Sequence, residues 1–223
     1  MGRWSTAALG LVVGSTVAFV AACGGDDDAP PLAVVTVEAT GCDRPQPRFG
    51  AGTFVADGVV LTAAHVVEGD LRDLTVGGAP AAVVGLDIGT DLALVALVGA
   101  ADDTADWSVT AADDVAPGPV RIVTPDASTE AELLRTLTLR VDDISDDTVT
   151  ERAALEVDVV VAAGDSGSPV VDADGDLIGV VVLRRPSTGV SYASVVPVFS
   201  QLLDQALYQD IRADPLARPD ACT

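Results

Sequence analysis

The segment Ala162–Val171, AAGDSGSPVV, places an acid and two serines between glycines in an otherwise apolar stretch, with Val159, Val160 and Val161 just ahead of it. Glycine serves where the backbone takes a conformation closed to other residues, or where another group comes close to the main chain. Ser166 is therefore expected on a sharp, preset turn. A hydroxyl is a poor nucleophile unless a base removes its proton and a third group orients that base. The chain holds a single histidine, His65, in GTFVADGVVLTAAHVVEGD, so any imidazole-dependent chemistry uses that residue or none. Two acids follow in DIGTDLALVAL: Asp87, and Asp91, 26 residues after His65 and directly ahead of an apolar run. Plain readings stand beside the chemical ones. Ser166 on a glycine-rich hairpin turn and His65 as a buried structural residue would need no catalysis.

Taken together and in this order, TAAHVV, DLALVAL and GDSGSPVV resemble the trypsin-like (chymotrypsin-fold) serine peptidases, in particular their compact bacterial branch. The order His, Asp, Ser is theirs and that of neither subtilisins nor α/β-hydrolases. The resemblance spans roughly Val34 to Gln205. It implies His65 as general base, Asp91 as its orienting carboxylate and Ser166 as nucleophile, with the backbone N–H groups of Gly164 and Ser166 as the oxyanion hole. Asp91 is favoured over Asp87 because it directly precedes the apolar strand, as the family pattern requires. The reaction implied is peptide-bond hydrolysis through an acyl-enzyme, with no cofactor and no metal.

The resemblance also implies an all-β fold of two six-stranded antiparallel barrels with the site in the cleft between them. His65 and Asp91 would come from the first barrel and Ser166 from the second. For the primary pocket it points to Val160, six positions before the nucleophile, with Arg184 and Gly189 on the opposite wall and Arg185 nearby. An uncharged Val160 implies little preference for Arg or Lys before the cut and better cleavage after small or medium apolar residues; an acidic preference assisted by Arg184 or Arg185 is the competing expectation. Two departures from the animal digestive branch matter. Asp165 needs a local backbone or arginine partner in place of a newly cut N-terminus, and Val66 stands where a cysteine usually follows the histidine.

The elements that would position these residues read as strands. Short or alternating apolar runs recur at AVVTVEA, GTFVADGVVLTAA, DLTVG, AAVVGL, DLALVAL, PVRIVT, LLRTLTLRV, ALEVDVVV, SPVVDADGDLIGVVVL and VSYASVVPV. A change of lobe is expected near AADDVAPGP, giving a first barrel at about 33–112 and a second at about 119–196 within a domain of 33–205. After Pro197, residues Val198, Phe199, Leu202, Leu203, Ala206 and Leu207 fall at helical spacing, so a C-terminal helix is expected, its end and the tail filling 206–223. DADGD, Asp172–Asp176, has acids spaced like part of a calcium loop but no downstream glutamate at EF-hand spacing, and reads as a hairpin turn.

At the N-terminus Arg3 precedes an uncharged run of about 16 residues from Ala7 to Ala22, short for crossing about 30 Å of hydrocarbon. It reads as a signal-peptide core. Val20, Ala21, Ala22 and Cys23 resemble a bacterial lipobox, which makes 1–22 a lipoprotein signal peptide, Cys23 the lipidated residue and 23–32 an acidic flexible tether. A retained membrane anchor and an ordinary cleaved signal are the competing expectations. With Cys23 acylated, Cys42 and Cys222 remain as an even pair in an oxidising compartment, and a bridge between them is expected.

The formal net charge is −22 with no lysine; without residues 1–22, 11 arginines face 34 acids for a net −23. That balance argues against nucleic acid as a partner. Acid pairs such as Asp102 with Asp103, Asp113 with Asp114, and the Asp142, Asp143, Asp146, Asp147 group read as solvated loops. The expected partners are a peptide or protein substrate and a membrane reached through the N-terminal lipid, the expected location the bacterial envelope or secretion beyond it, and the expected state a monomer. A catalytically silent peptide-binding module and an envelope interaction scaffold are the other functions compatible with such a chain.

Overall fold

The computed structural model describes residues 34–42, 45–56, 58–98, 115–143, 148–196 and 222. The expected signal peptide, tether, Cys23 and C-terminal helix lie outside the described residues. Twelve strands and one short helix are described. The first six strands are β1 (Val34–Gly41), β2 (Arg48–Ala56), β3 (Val59–Ala63), β4 (Leu71–Val76), β5 (Ala79–Asp87) and β6 (Leu92–Leu97), with α1 (Ala64–Val67) between β3 and β4. The remainder are β7 (Gly118–Val123), β8 (Ser128–Asp143), β9 (Thr148–Val157), β10 (Pro169–Val171), β11 (Leu177–Arg185) and β12 (Val190–Val195).

Each set of six closes on itself as an antiparallel barrel, in the orders β1-β2-β3-β6-β5-β4 and β10-β11-β12-β9-β8-β7. Closure leaves no strand edge unpaired in either sheet. This is the two-barrel arrangement that the sequence resemblance implies.

The composition of β3 and β6 explains how the lobes dock. Both strands are apolar nearly throughout because both of their faces are covered. Val60, Ala63, Ala93 and Val95 pack in the core of the first barrel with Val37, Ala39 and Val76. Val59, Leu61, Leu92 and Leu94 of the same two strands pack with Leu177, Val180 and Val196 of the second barrel. A strand with period-two alternation has one wet face; a strand without it is buried on both. The second barrel has its own core around Ile122, Leu133, Leu155, Val170 and Ile178.

Two local outcomes differ from the sequence pattern. The run ALEVDVVV does not continue as a strand past Val157: Glu132 donates its N–H to Asp158 Oδ1, and the chain turns out of the barrel toward Ser166. The residues after β3 wind into the single turn of α1, which carries His65. The DADGD segment joins β10 to β11 as a hairpin turn, with Asp172 Oδ1 accepting the N–H groups of Asp174 and Asp176.

Candidate active site

β3 and β6 are neighbours in register, with Ala63 opposite Leu92. The residue after one and the residue before the other therefore leave the sheet side by side. His65 follows β3 and Asp91 precedes β6. The carboxylate meets both the main chain and the ring of the histidine: His65 N–H donates to Asp91 Oδ1 at 2.8 Å, and His65 Nδ1 lies 2.9 Å from Asp91 Oδ2. Ala64 N–H donates to the Asp91 carbonyl at 3.0 Å. A carboxylate bonded to Nδ1 selects the tautomer in which Nδ1 carries the proton and Nε2 is free to accept one.

Asp91 itself sits at φ 60°, a left-handed conformation that aspartate tolerates better than most residues. The turn that puts it there is organised by Asp87, whose Oδ1 accepts the N–H of Thr90 at 3.3 Å. The two acids of DIGTD thus have different work, Asp91 facing the imidazole and Asp87 holding the turn. The far end of α1 is clamped by Arg48 on β2, which donates to the carbonyls of His65 at 3.1 Å and Glu68 at 2.7 Å. A second arginine, Arg152 on β9, places Nη1 3.3 Å from Asp91 Oδ2. Neither arginine stands out in the sequence, because an arginine in a strand of mixed composition carries no motif. Their only signal is an inward strand position, Arg152 two residues from the fully buried Ala154.

Ser166 arrives from the other barrel on the turn between β9 and β10. Gly164 and Gly167 in this turn have φ of 101° and 92°. Asp165 is satisfied locally, its Oδ2 accepting the Ala162 N–H at 2.7 Å, which supplies the backbone partner that the sequence left unnamed. The turn is tied across the lobe junction by Ala51 N–H, which donates to the Ser166 carbonyl at 2.7 Å. Beside that bond, Gly50 has room for a hydrogen only: a Cβ there would come within 2.7 Å of both the Ser166 carbonyl oxygen and Val66 Cγ2. Gly50 thus lies between Val66, which follows His65, and the carbonyl of Ser166. Among the described residues, the N–H groups of Gly164 and Ser166 have no acceptor, and no hydrogen bond joins Ser166 Oγ to the imidazole. Catalytic hydrogen bonds of that kind tighten when a substrate occupies the cleft.

The residues expected to line the primary pocket are found near Ser191. Val161 N–H donates to Ser191 Oγ at 3.1 Å, which holds Val160, 39% exposed, beside β12. Arg184 lies opposite Ser191 in the β11–β12 ladder, and Gly189 closes the turn between those strands two residues earlier. Arg184 is exposed; Arg185 lays its guanidinium 5.6 Å from the centre of the Tyr192 ring. No group of His, Cys, Asp and Glu able to hold a metal occurs among the described residues. Cys42 and Cys222 form a disulfide across a sequence separation of 180.

Among solved structures, the chain is similar to the Rv3671c protease from M. tuberculosis in its active form, at 22% identity over 78% of this chain and 80% of that one, with a TM-score of 0.66. It is also similar to the HtrA-type protease AlgW with a tripeptide, at 21% identity over 81% of this chain and 62% of that one, with a TM-score of 0.62. At such identities the likeness speaks for the fold. No curated protein matches the sequence. Residues 50–180, more than half of the chain, match the family model described as the trypsin-like peptidase domain, and they contain His65, Asp91 and Ser166; the chain belongs to the trypsin-like peptidase family.

Proposed function

We propose that this protein is an exported, lipid-anchored serine endopeptidase in which His65, Asp91 and Ser166 form the catalytic triad. The observation that carries the reading is the Asp91–His65 pair on one barrel, set against the Ser166 turn of the other. In the mechanism, His65 Nε2 takes the Ser166 hydroxyl proton as the oxygen attacks the scissile carbonyl, and returns that proton to the leaving amine. Asp91 steadies the imidazolium. The free N–H groups of Gly164 and Ser166 are the donors for the oxyanion. The amine departs, leaving an ester on Ser166, and a water activated by His65 hydrolyses it. Peptides or proteins are the substrates that the family implies.

A fluorophosphonate probe tests this directly. The full chain should be labelled, Ser166→Ala not at all, and His65→Ala more slowly by several orders of magnitude, since triad members act as one unit. Asp91→Asn should lose on the order of 10⁴ in rate, because it permits the wrong tautomer. Asp87→Asn should stay within about tenfold, as its bond is to a turn. Equal labelling of wild type and Ser166→Ala would refute the mechanism.

The location rests on the sequence: Cys23 closes a lipobox-like VAAC after a signal-type apolar run. Firm attachment would require more than one acyl chain on Cys23, because a single chain binds reversibly. Wild type should sediment with membranes and Cys23→Ala should be released into the soluble fraction; equal sedimentation of both would assign retention to the apolar segment itself.

A further inference from the structure

We propose that Arg152 is a positioning residue for the triad, holding the Asp91 carboxylate from the opposite barrel so that the acid orients His65 only when the lobes are docked. The proposal rests on reading His65, Asp91 and Ser166 as the catalytic groups. Asp91 belongs to the first barrel and Arg152 to β9 of the second. Their side chains are 14% and 9% exposed, against 40% for His65.

A carboxylate so far out of water needs an opposite charge. While the imidazole is neutral, His65 supplies none. Arg152 Nη1, 3.3 Å from Oδ2, is the cation in contact with Asp91, and Arg48, the other arginine near α1, is engaged with the carbonyls of His65 and Glu68. Arg152 touches the same oxygen that His65 Nδ1 meets at 2.9 Å, so it constrains the atom that sets the ring's orientation. The other carboxylate oxygen is taken by the His65 N–H. From the second barrel a further tie reaches the same turn, the Ser194 hydroxyl donating to the Thr90 carbonyl. That bond fixes the backbone of the turn and does not reach the carboxylate. Among the described residues Asp91 is the acid paired with Arg152. An arginine buried this deeply against a carboxylate fits a role at that carboxylate better than one in general lobe adhesion, where apolar residues of the size of Leu177 and Val180 already pack.

The test compares the full chain with Arg152→Gln, Arg152→Lys, Asp91→Asn and the double variant Arg152→Gln/Asp91→Asn. Acylation by a fluorophosphonate and the kcat and KM of a peptide substrate are measured for each. The His65 Nδ1 proton is followed by NMR, where its assignment is unambiguous because the chain has one histidine. Arg152→Gln is expected to slow acylation about 10- to 100-fold with KM within about threefold, a size usual for coupled neighbours. Arg152→Lys, which keeps the charge on a differently shaped head, should recover part of the loss. In the presence of Asp91→Asn, the Arg152→Gln change should alter the rate by less than about threefold, because the residue acts through the carboxylate. The His65 proton resonance should move in both single Arg152 variants.

Wild-type acylation by Arg152→Gln, in a protein whose labelling still requires Ser166, would overturn the proposal and leave the triad intact. So would a loss of the same size with and without Asp91→Asn. Labelling independent of Ser166 would remove the triad reading itself, a different result. Should Arg152→Gln not fold, the resonance in Arg152→Lys decides: an unmoved His65 proton overturns the proposal and a displaced one supports it.

Discussion

Val160 stands 39% exposed next to buried Val161, and the bond from Val161 N–H to Ser191 Oγ fixes that pair against β12, the strand paired with the one carrying Arg184. With no charge at this position, a substrate side chain entering beside it would meet an apolar surface. We expect a peptide library to show kcat/KM at least about tenfold higher for Ala, Val or Leu before the cut than for Arg or Lys, the discrimination an apolar contact can give. Arg184 and Arg185 are both exposed, and Arg185 lays its guanidinium over the Tyr192 ring, so Arg184 is the one we assign to an incoming carboxylate. Selection for Asp or Glu would therefore assign the pocket to Arg184, and selection for Arg or Lys would remove Val160 from it. At this scale the sequence was informative where chemistry restricts the residue type. A single histidine and a glycine-framed serine were readable because few substitutes exist for either. Arg48 and Arg152 were not, because a strand arginine becomes a partner of His65 or Asp91 only through contacts 17 and 61 residues away along the chain.

Strands carry these side chains to one place by register. The pairing of Ala63 with Leu92 sets His65 beside Asp91, and the β9–β10 turn sets Ser166 against β2. The strand list was legible because buried strands in this chain are dense in Val, Leu and Ala. What misled the pattern was the apolar run Val159–Val161, in which hydrophobicity serves the approach to the serine turn and no ladder forms. Gly167 gives this element its sharpest constraint. Its φ is 92°, and a Cβ there would lie 1.9 Å from the Ala51 carbonyl oxygen and 2.6 Å from Thr62 Oγ1, a hydroxyl that donates to that same carbonyl. Gly189 has φ 78° but open space around it. Gly167→Ala should therefore cost more than about 3 kcal/mol, from backbone strain and forced separation of the turn from the first barrel. Gly189→Ala should cost only about 1–2 kcal/mol, from the left-handed conformation alone. Urea unfolding measures both. Equal losses would mean that the serine turn is not wedged against β2 in solution.

For the molecule as a whole, the proposed activity depends on two barrels staying docked; the shared apolar layer of Leu61, Leu92, Leu94, Leu177, Val180 and Val196 holds them beside the polar ties that join the lobes, and the disulfide from Cys42 to Cys222 adds a covalent tie to the first barrel. Cys42 lies just past β1 in the first barrel, where its N–H donates to the Asp70 carbonyl, and Cys222 is next to the last residue of the chain. The covalent link thus returns the end of the chain to the first barrel. Chain-entropy reasoning for a loop closed over 180 residues gives about 5 kcal/mol, and removal of native disulfides usually costs about 2–5 kcal/mol. For a domain of this size each kcal/mol moves the melting temperature about 2–4 °C. The apolar layer is independent of the bridge, so the fold should survive without it. We therefore expect Cys42→Ser and Cys222→Ser each to lower the melting temperature by about 5–15 °C, and the double substitution to lower it no further than either single one, because both remove the same link. Fluorophosphonate labelling at 25 °C should remain within about tenfold of wild type. Additive losses from the two single substitutions would show that the cysteines act separately, and loss of labelling at 25 °C in a folded variant would show that the bridge, more than the apolar layer, keeps the two barrels in register.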